Sequence, residues 1–149
     1  ETRQAIDNLR LSPEENLTTW LEQLSISFEK STGVSVECNL QADEVEFLPE
    51  ISAQLVRILQ EALNNVRKHA HAGQVTINLR KWASDLRVEV IDDGPGFDPE
   101  DIPYIAQYGL RGMRERAELI GADFQIISQP RRGTTVRLSL PINIEETTT

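Results

Sequence analysis

The chain has few of the features that characterise secreted and membrane proteins. Only one of its 149 residues is a cysteine, Cys38, so no disulfide can form within the chain, and a reducing compartment, by default the cytoplasm, is expected. No apolar run approaches the ~18 residues of a membrane span. The opening residues 1–4 do not resemble a signal peptide. We therefore expect a cytoplasmic domain that makes no direct membrane contact.

Positive charge is also scarce. Lys and Arg total 15 against 24 Asp and Glu, which gives a formal net charge of −9. This balance argues against nucleic acid as a partner, because binding to a phosphate backbone needs a basic face. Each basic residue alone is best explained as a solvated surface charge. The basic residues nevertheless cluster beside the segments discussed below: Arg67 and Lys68; Arg111, Arg114 and Arg116; Arg131 and Arg132.

The length and patterning predict one domain of the α+β class. A chain of this size can bury roughly 68–70% of its unfolded surface. We assign residues 1–11 to the end of a preceding helix, 12–142 to the domain and 143–149 to a polar tail. Hydrophobic periodicity predicts helices up to residue 32 and over 49–71 and 110–120. It predicts strands over 34–40, 74–82, 86–91, 123–128 and 135–140.

The predicted order is helix, strand, helix, hairpin, irregular segment, helix, hairpin. A doubly wound parallel fold would need strict alternation of strands and helices, which is absent. The order instead suits a two-layer α/β sandwich with helices on one face of a mixed sheet. The irregular segment 97–108 ends beside Gly109 and suits a mobile lid. Gly109 and Gly112 precede or open the third helix, whose N-terminal amides suit an anion.

The second helix carries a polar face. Glu61, Asn65 and Lys68 are spaced by four and three residues and therefore share one side of the helix. An amide oxygen suits Mg²⁺, a lysine can neutralise a phosphate, and a carboxylate can orient or deprotonate a water or hydroxyl. Taken alone, this face is better explained as a solvated surface of mixed charge.

The segment Asp92-Asp93-Gly94-Pro95-Gly96 follows a predicted strand. A carboxylate at Asp92 would emerge at the end of the sheet, where it can accept the exocyclic amine of adenine and disfavour the oxygen of guanine. Gly94 and Gly96 would allow the backbone to approach a ligand closely. Thr134 could reach the same base directly or through water. A lone Asp-x-Gly-x-Gly is most often a tight turn, so the prediction depends on all the segments together.

Four segments in order resemble the catalytic ATP-binding domain of sensor histidine kinases: 60–70 (QEALNNVRKHA), 92–97 (DDGPGF), 109–116 (GLRGMRER) and 133–136 (GTTV). The resemblance extends from Ser12 to Pro141 and is greatest to the nitrate-sensor-like subfamily, which typically partners response regulators with helix-turn-helix outputs. The wider superfamily includes DNA gyrase and mismatch-repair ATPases. The resemblance implies the Bergerat fold, a mostly antiparallel mixed sheet with about three helices on one face.

The resemblance also implies roles for single residues. Asn65 would bind Mg²⁺, with Glu61 either in the metal shell or acting as a general base, and Lys68 would complete the catalytic set. His69 would pack beside adenine, and Asp92 would read it. The residues implied to bind ATP are Asn64, Asn65, Lys68, His69, Asp92, Gly94, Gly96, Gly109, Leu110, Arg111, Gly112 and Thr134.

The expected function is therefore a histidine kinase catalytic domain that uses ATP and Mg²⁺. Its own dimerisation domain, whose last helix would end in residues 1–11, would carry the phosphoacceptor, since His69 and His71 lie in no acceptor-like context. An alternative is an autonomous ATPase or conformational switch that uses Glu61 as general base. A third reading is a degenerate interaction module, motivated by Gln107 where many relatives have glycine. We expect the chain alone to be monomeric.

Overall fold

The computed structural model describes residues 17–41, 48–70, 73–98, 100–102 and 104–142, the side chains of 69, 70 and 104–106 excepted. Residues 12–16 of the predicted domain, the preceding segment 1–11 and the tail 143–149 lie outside this part of the chain. Its helices are α1 (Leu17–Thr32), α2 (Pro49–Asn65) and α3 (Tyr104–Leu119), with a π-helical turn, Val66–Ala70, directly after α2. Its strands are β1 (Ser35–Gln41), β2 (Gln74–Trp82), β3 (Asp85–Asp92), β4 (Asp123–Ser128) and β5 (Thr134–Pro141).

The strands form a single mixed sheet in the order β1-β2-β3-β5-β4. β1 pairs with β2 in parallel, because α2 lies between them in the chain and supplies the crossover that parallel strands need. The other three pairings are antiparallel. The predicted α+β class and mostly antiparallel mixed sheet are therefore confirmed.

The core lies between one face of this sheet and the helices. In β2 the buried residues Val75, Ile77 and Leu79 alternate with more exposed neighbours, as a strand with one covered face requires. Trp20 and Phe28 of α1 are fully buried against this layer. Burial of a large apolar side chain contributes about 1.5–3 kcal/mol, so the stability of the domain resides mainly in this two-layer contact.

The opposite face of the sheet carries a polar row that crosses all five strands. Asn39 donates to Asn78 at 2.9 Å, and Asn78 donates to Glu89 at 3.2 Å. Arg137 then donates to Glu89 at 2.7 Å and to Gln125 at 3.3 Å. Each partner lies directly opposite the next in the strand register. A shift of one residue would turn every member to the other face, so the row specifies the register.

The structure corrects the predicted start of helix α3. The helix begins at Tyr104 rather than Leu110, so much of the predicted irregular segment is helical and Gly109 lies inside α3 instead of preceding or opening it. Proline is favoured at helix starts, and Pro103 immediately precedes the helix in the sequence. The side-chain amide of Gln107 donates to the Ile102 carbonyl at 2.8 Å, which ties this first turn to the preceding chain.

The second helix also differs from its prediction as one continuous element over 49–71. It begins at Pro49, as proline favours, but its α-helical part ends at Asn65 and the chain continues as the π-helical turn. Single π turns are rare and often lie at functional sites. Of the helices in the described ranges, none combines the length and hydropathy of a membrane span.

Candidate functional site

The structure brings the predicted site residues together in two groups. The first group, which we call the base corner, consists of Asp92, Gly94, Gly96 and Thr134. Asp92 ends β3 and lies directly opposite Thr134, the first residue of β5. Its side chain is 7% exposed, and its Oδ1 accepts the Gly94 N–H at 2.9 Å. The sheet therefore holds a buried carboxylate at its end.

The environment of Asp92 makes its ionisation less favourable than that of an exposed carboxyl group. Burial raises the pKa of Asp92 above its ordinary value, and the neighbouring charge of Asp93 adds to this effect. Hydrogen bonds from the backbone N–H groups of Gly94 and Thr134 act in the opposite direction but do not cancel it. A carboxylate has about four lone-pair sites, so the ionised group retains acceptor capacity for a donor such as an exocyclic amine.

Two glycines interlock the backbone of the base corner. Gly96 has a φ of 69°, and a Cβ added there would overlap the carbonyl oxygen of Gln129 and lie 2.9 Å from that of Gly133. Gly133 has a φ of 75°, and its added Cβ would overlap the carbonyl oxygen of Asp92. The Arg131 N–H also donates to the Pro95 carbonyl. Segments 92–97 and 128–134 therefore fit together only because both glycines lack a side chain.

Ser128, which was not among the predicted site residues, lies at the centre of the base corner. Its hydroxyl accepts the Phe97 N–H at 2.9 Å, donates to the Gly133 carbonyl at 3.1 Å and lies 2.9 Å from Thr134 Oγ1. The side chain is 6% exposed. The sequence contained a signal for Ser128 as a site residue, because the predicted hairpin of strands 123–128 and 135–140 places residue 128 close to Thr134 across the turn.

The second group, which we call the phosphate end, consists of Glu61 and Asn65 on α2 and Gly109 on α3. A Cβ added at Gly109 would lie 2.9 Å from Glu61 Oε2 and 3.5 Å from Asn65 Oδ1. Two side-chain oxygens therefore face the same bare position on α3. The missing side chain of Gly109 allows the two helices to approach here while leaving both oxygens in place.

An open cavity of about 320 Å³ lies beside the phosphate end, between α2 and α3. Glu61, Gly109 and Gly112 line it, together with Arg57, Tyr108 and Arg116. Arg116 donates to Gln54 at 2.9 Å and so links α3 to α2. The sequence indicated Arg116 only as part of a basic cluster, and Arg57 and Tyr108 were not among the predicted site residues. Within the described part of the chain, neither Asp92 nor Thr134 is among the lining residues.

The remaining predicted residues occupy varied positions. Asn64 is 2% exposed, and its Oδ1 accepts from Arg67 Nη2 at 3.0 Å and Nε at 3.3 Å, so its amide oxygen is engaged by Arg67. Lys68 and Arg111 are exposed. Leu110 packs against the core. The His69 side chain and His71 lie outside the described residues.

The donor set suits a magnesium ion that shares its coordination with phosphate. Among residues 17–41, 48–70, 73–98, 100–102 and 104–142, no three His, Cys, Asp or Glu side chains gather closely enough to hold a metal ion. Glu61 and Asn65 offer two hard oxygen donors. Mg²⁺ usually keeps several waters and is bound through one or two protein groups plus substrate phosphates. The residues present therefore fit a Mg²⁺–nucleotide complex.

Comparison with known proteins places the chain in one family. A family model described as histidine kinase-, DNA gyrase B-, and HSP90-like ATPase matches residues 50–144. The chain is 33% identical over 97% of its length to the signal transduction histidine-protein kinase/phosphatase DegS of Brevibacillus brevis. It is 36% identical over 85% of its length to the sensor histidine kinase LiaS of Bacillus subtilis (strain 168). The matches cover 36% and 34% of those two proteins, so the chain spans about a third of their length.

Solved structures agree on the fold. The histidine kinase domain of the Erythrobacter litoralis EL346 blue-light activated histidine kinase superposes with a TM-score of 0.70, at 22% identity, over 97% of this chain and 71% of that one. The Acinetobacter baumannii histidine kinase AdeS gives 0.71 at 18% identity, over 95% of this chain and 74% of its own. The α+β architecture is thus the Bergerat fold. Since the family model matches more than half of the sequence, the chain belongs to the histidine kinase-, DNA gyrase B- and HSP90-like ATPase family.

Proposed function

We propose that this chain is the catalytic ATP-binding domain of a two-component sensor histidine kinase, a protein histidine kinase. It binds Mg²⁺–ATP and supplies the γ-phosphoryl group to a histidine on a dimerisation domain outside residues 1–149. The observation that carries the proposal is the presence of two groups, a buried carboxylate at Asp92 and a pair of hard oxygen donors, Glu61 and Asn65. A molecule that joins a purine base to a metal-bound polyphosphate matches both.

The base corner would select adenine. Ionised Asp92 accepts the exocyclic amine of adenine, whereas guanine presents an oxygen at that position and would be repelled. A site built to hydrogen-bond a donor rejects an analogue without it strongly, because its own buried polar group is then left unpaired. Thr134 lies directly opposite Asp92 and contributes a second oxygen.

The phosphate end would orient the reacting group. Bound Mg²⁺ neutralises charge on the phosphate oxygens. Asn65 and Glu61 would hold it, and Lys68 and Arg111, which are exposed, would approach the phosphates from solvent. The protein contributes positioning and charge compensation, because phosphoryl transfer needs little covalent assistance from side chains. Glu61 thus organises the metal shell in this proposal.

The finer assignments rest on the same proposal. The parent kinase would belong to the nitrate-sensor-like subfamily, place this domain in the cytoplasm and pass its phosphoryl group to a response regulator with a helix-turn-helix output. Residues 1–11 would be the end of the dimerisation helix and 143–149 a polar tail. These assignments are supported by the motif order in the sequence and by the histidine kinases DegS and LiaS among its relatives.

The first test is calorimetric titration of the domain with a non-hydrolysable ATP analogue, with and without Mg²⁺. We expect binding that Mg²⁺ strengthens in the unaltered protein and much less in Asn65→Ala. The matched control is the exposed Asn39→Ala, which lies on the opposite face of the sheet and should leave binding unchanged. A folded domain that binds no adenine nucleotide would contradict the proposal.

The second test supplies the dimerisation domain in trans. Incubation with γ-labelled ATP should produce acid-labile phosphohistidine on that domain, and none when its acceptor histidine is replaced. The variant Glu61→Gln distinguishes a kinase domain from an autonomous ATPase. Rapid phosphate release without any acceptor, abolished by Glu61→Gln, would assign Glu61 as a general base and argue against the kinase.

A further inference from the structure

We infer that Ser128 is a positioning residue for base recognition. Its hydroxyl oxygen accepts the hydrogen bond that Thr134 donates, so Thr134 presents only lone pairs to the base. The inference rests on the proposed function, since it concerns adenine bound at Asp92. Ser128 lies behind Thr134, with 6% of its side chain exposed. It therefore acts through Thr134 and has no direct contact with the ligand in this proposal.

The hydrogen bonds of Ser128 determine where each proton lies. A serine hydroxyl has one proton to donate and two lone pairs to accept with. The Phe97 N–H, at 2.9 Å, can only donate to it. The Gly133 carbonyl, at 3.1 Å, can only accept, so the single proton of Ser128 goes there. All three contacts are satisfied together only when Thr134 Oγ1, at 2.9 Å, is the donor in the remaining contact.

The strand register places this polarised hydroxyl beside the base-reading carboxylate. Ser128 lies directly opposite Thr134 across β4 and β5, and Thr134 lies directly opposite Asp92 across β5 and β3. The three side chains form one row at the end of the sheet. Ionised Asp92 is an acceptor, and Thr134 is made an acceptor by Ser128. The base corner therefore presents two neighbouring acceptors and no side-chain donor from these two residues.

This arrangement has a chemical consequence for adenine. The exocyclic amine is a donor and pairs with Asp92, but the adjacent ring nitrogen N1 is an acceptor and cannot pair directly with Thr134 in this state. A water that donates one hydrogen to N1 and the other to Thr134 Oγ1 satisfies both. The structure thus assigns N1 recognition to a bridging water whose orientation is set by Ser128.

The test compares Mg²⁺–ADP with Mg²⁺–1-deaza-ADP, in which N1 is replaced by C–H, by calorimetry. We expect the unaltered protein to prefer ADP by about tenfold, which equals about 1.4 kcal/mol. In Thr134→Val this preference should fall to near one. In Ser128→Ala the proton of Thr134 is freed to donate directly to N1, so the preference should change at least threefold. Ser128→Thr, which keeps the hydroxyl, should retain the original preference.

A purely structural role for Ser128 gives a different result. Loss of its bond to the Phe97 N–H would then weaken both ligands equally in Ser128→Ala and leave the preference unaltered, which would overturn the inference. The double variant Ser128→Ala/Thr134→Val should match Thr134→Val in preference, because Ser128 acts only through Thr134. A further change of preference in the double variant would also contradict it.

A second measurement uses the unaltered protein, so it does not depend on whether a Ser128 variant folds. In the ligand-free protein, NMR should show a slowly exchanging Thr134 hydroxyl proton with a nuclear Overhauser contact to the Ser128 methylene. A Thr134 hydroxyl proton in fast exchange with solvent would overturn the inference. If the unaltered protein binds neither nucleotide, the proposed function fails, while the NMR result still decides the proton arrangement.

Discussion

The base corner and the phosphate end differ in what holds them in place. The base corner is fixed by backbone: Gly96 and Gly133 lie against carbonyl oxygens, and the peptide N–H groups of Gly94 and Phe97 donate to the side chains of Asp92 and Ser128. The phosphate end is built from two side chains of α2 that face a bare glycine position on α3, beside an open cavity of about 320 Å³. One region is therefore set when the sheet forms, whereas the other can adjust to its ligand.

This contrast predicts how the two regions respond to change. Backbone that is packed against backbone cannot yield without disturbing the fold, so substitutions at the interlocking glycines Gly96 and Gly133 should affect stability and binding together. The end of a flexible side chain can rotate away at small cost, so substitutions at the phosphate end should affect catalysis while the fold persists. Four predictions, from the largest expected effect to the smallest, test this division.

The largest effect is expected for Gly96→Ala. The substitution places an L-residue at a φ of 69° and drives its Cβ into the carbonyl oxygen of Gln129. The left-handed conformation costs about 1–2 kcal/mol and overpacking about 1–3 kcal/mol, so we expect a loss of roughly 2–5 kcal/mol in unfolding free energy. Urea denaturation followed by circular dichroism measures it.

Gly73→Ala is the matched control for that substitution. Gly73 has no positive φ, and its added Cβ meets nothing within 4 Å. Its effect should stay within about 0.5 kcal/mol, as for most surface substitutions. Equal losses for the two variants would show that the interlock of segments 92–97 and 128–134 contributes little.

Asp92→Asn should abolish most adenine affinity while the fold remains intact. The amide can still accept the Gly94 N–H, but its NH₂ group would face the exocyclic amine of adenine, donor against donor. A hydrogen bond to a charged group contributes about 1.5–3 kcal/mol, so ATP affinity should fall roughly 10- to 150-fold. Calorimetry with ATP and with GTP measures this loss, and the ratio of the two affinities should shift toward GTP.

Thermal unfolding of Asp92→Asn provides the control. Burial raises the pKa of Asp92, which means that ionisation of this carboxyl group costs more in the folded protein than in the unfolded chain. Its replacement by a neutral amide should therefore leave the melting temperature unchanged or higher. A large fall in melting temperature would mean that binding is lost through unfolding rather than through loss of the acceptor.

Gly109→Ala should act on phosphoryl transfer alone. Its Cβ would lie 2.9 Å from Glu61 Oε2, the far end of a flexible side chain, so Glu61 can move aside. Within helix α3, alanine is favoured over glycine by about 0.8–1.0 kcal/mol, and stability should hold or rise. Displaced donors orient the phosphates less well, and we expect roughly a tenfold slower transfer rate.

The measurement for Gly109→Ala combines single-turnover phosphoryl transfer with urea denaturation. Adenosine, which lacks phosphates, serves as the control ligand and should bind this variant as it binds the unaltered protein. A loss of stability comparable to that of Gly96→Ala would remove the proposed difference between the two regions.

The smallest effect is expected from pH. Because the folded pKa of Asp92 is raised above its ordinary value of 3.8, its contribution to stability is fully present below that value and is lost as the pH rises through the folded pKa. Adenosine affinity should change in the opposite sense, since only the ionised carboxylate accepts the amine. Acidification should thus weaken binding while the Asp92 contribution to stability grows, and Asp92→Asn should show neither trend.

Glu89 provides the comparison away from the site. Burial alone would raise its pKa, but hydrogen bonds from Asn78 and Arg137 and the charges of Arg137 and Arg80 lower it overall from 4.5. A carboxyl group whose folded pKa is lowered stabilises the fold above its ordinary value and loses that contribution as the pH falls through the folded value. The stability difference between the unaltered protein and Glu89→Gln should therefore shrink below about pH 4.5. Parallel pH trends for Glu89 and Asp92 would contradict both assignments.

The strands were the most predictable part of the fold. β2 and β4 have the predicted bounds, and β3 and β5 differ by one residue at each end. Period-two alternation and turn residues are local signals, so they remain visible in a single sequence. The same local signals placed Asp92 and Thr134 at strand ends, whereas their position opposite each other depends on the long-range pairing of β3 with β5.

The helical region could be predicted less well. Glycine has a low helix propensity, and Gly109 made the start of α3 appear irregular in the sequence. Packing of α3 against α2 overrides that propensity. The cavity lined by Arg57 and Arg116 depends on the same contact between residues far apart in sequence. The π-helical turn after Asn65 has no recognisable local sequence signal.

The interlock of the base corner bears on the order in which the protein becomes competent during synthesis. Asp92 and Gly96 emerge from the ribosome well before Ser128 and Gly133, yet their site exists only once β5 has paired with β3. Long-range pairing of this kind forms late, because the chain entropy of the intervening loop must first be overcome. A nascent chain that ends before Thr134 can carry every residue of the phosphate end and still have no place for the base.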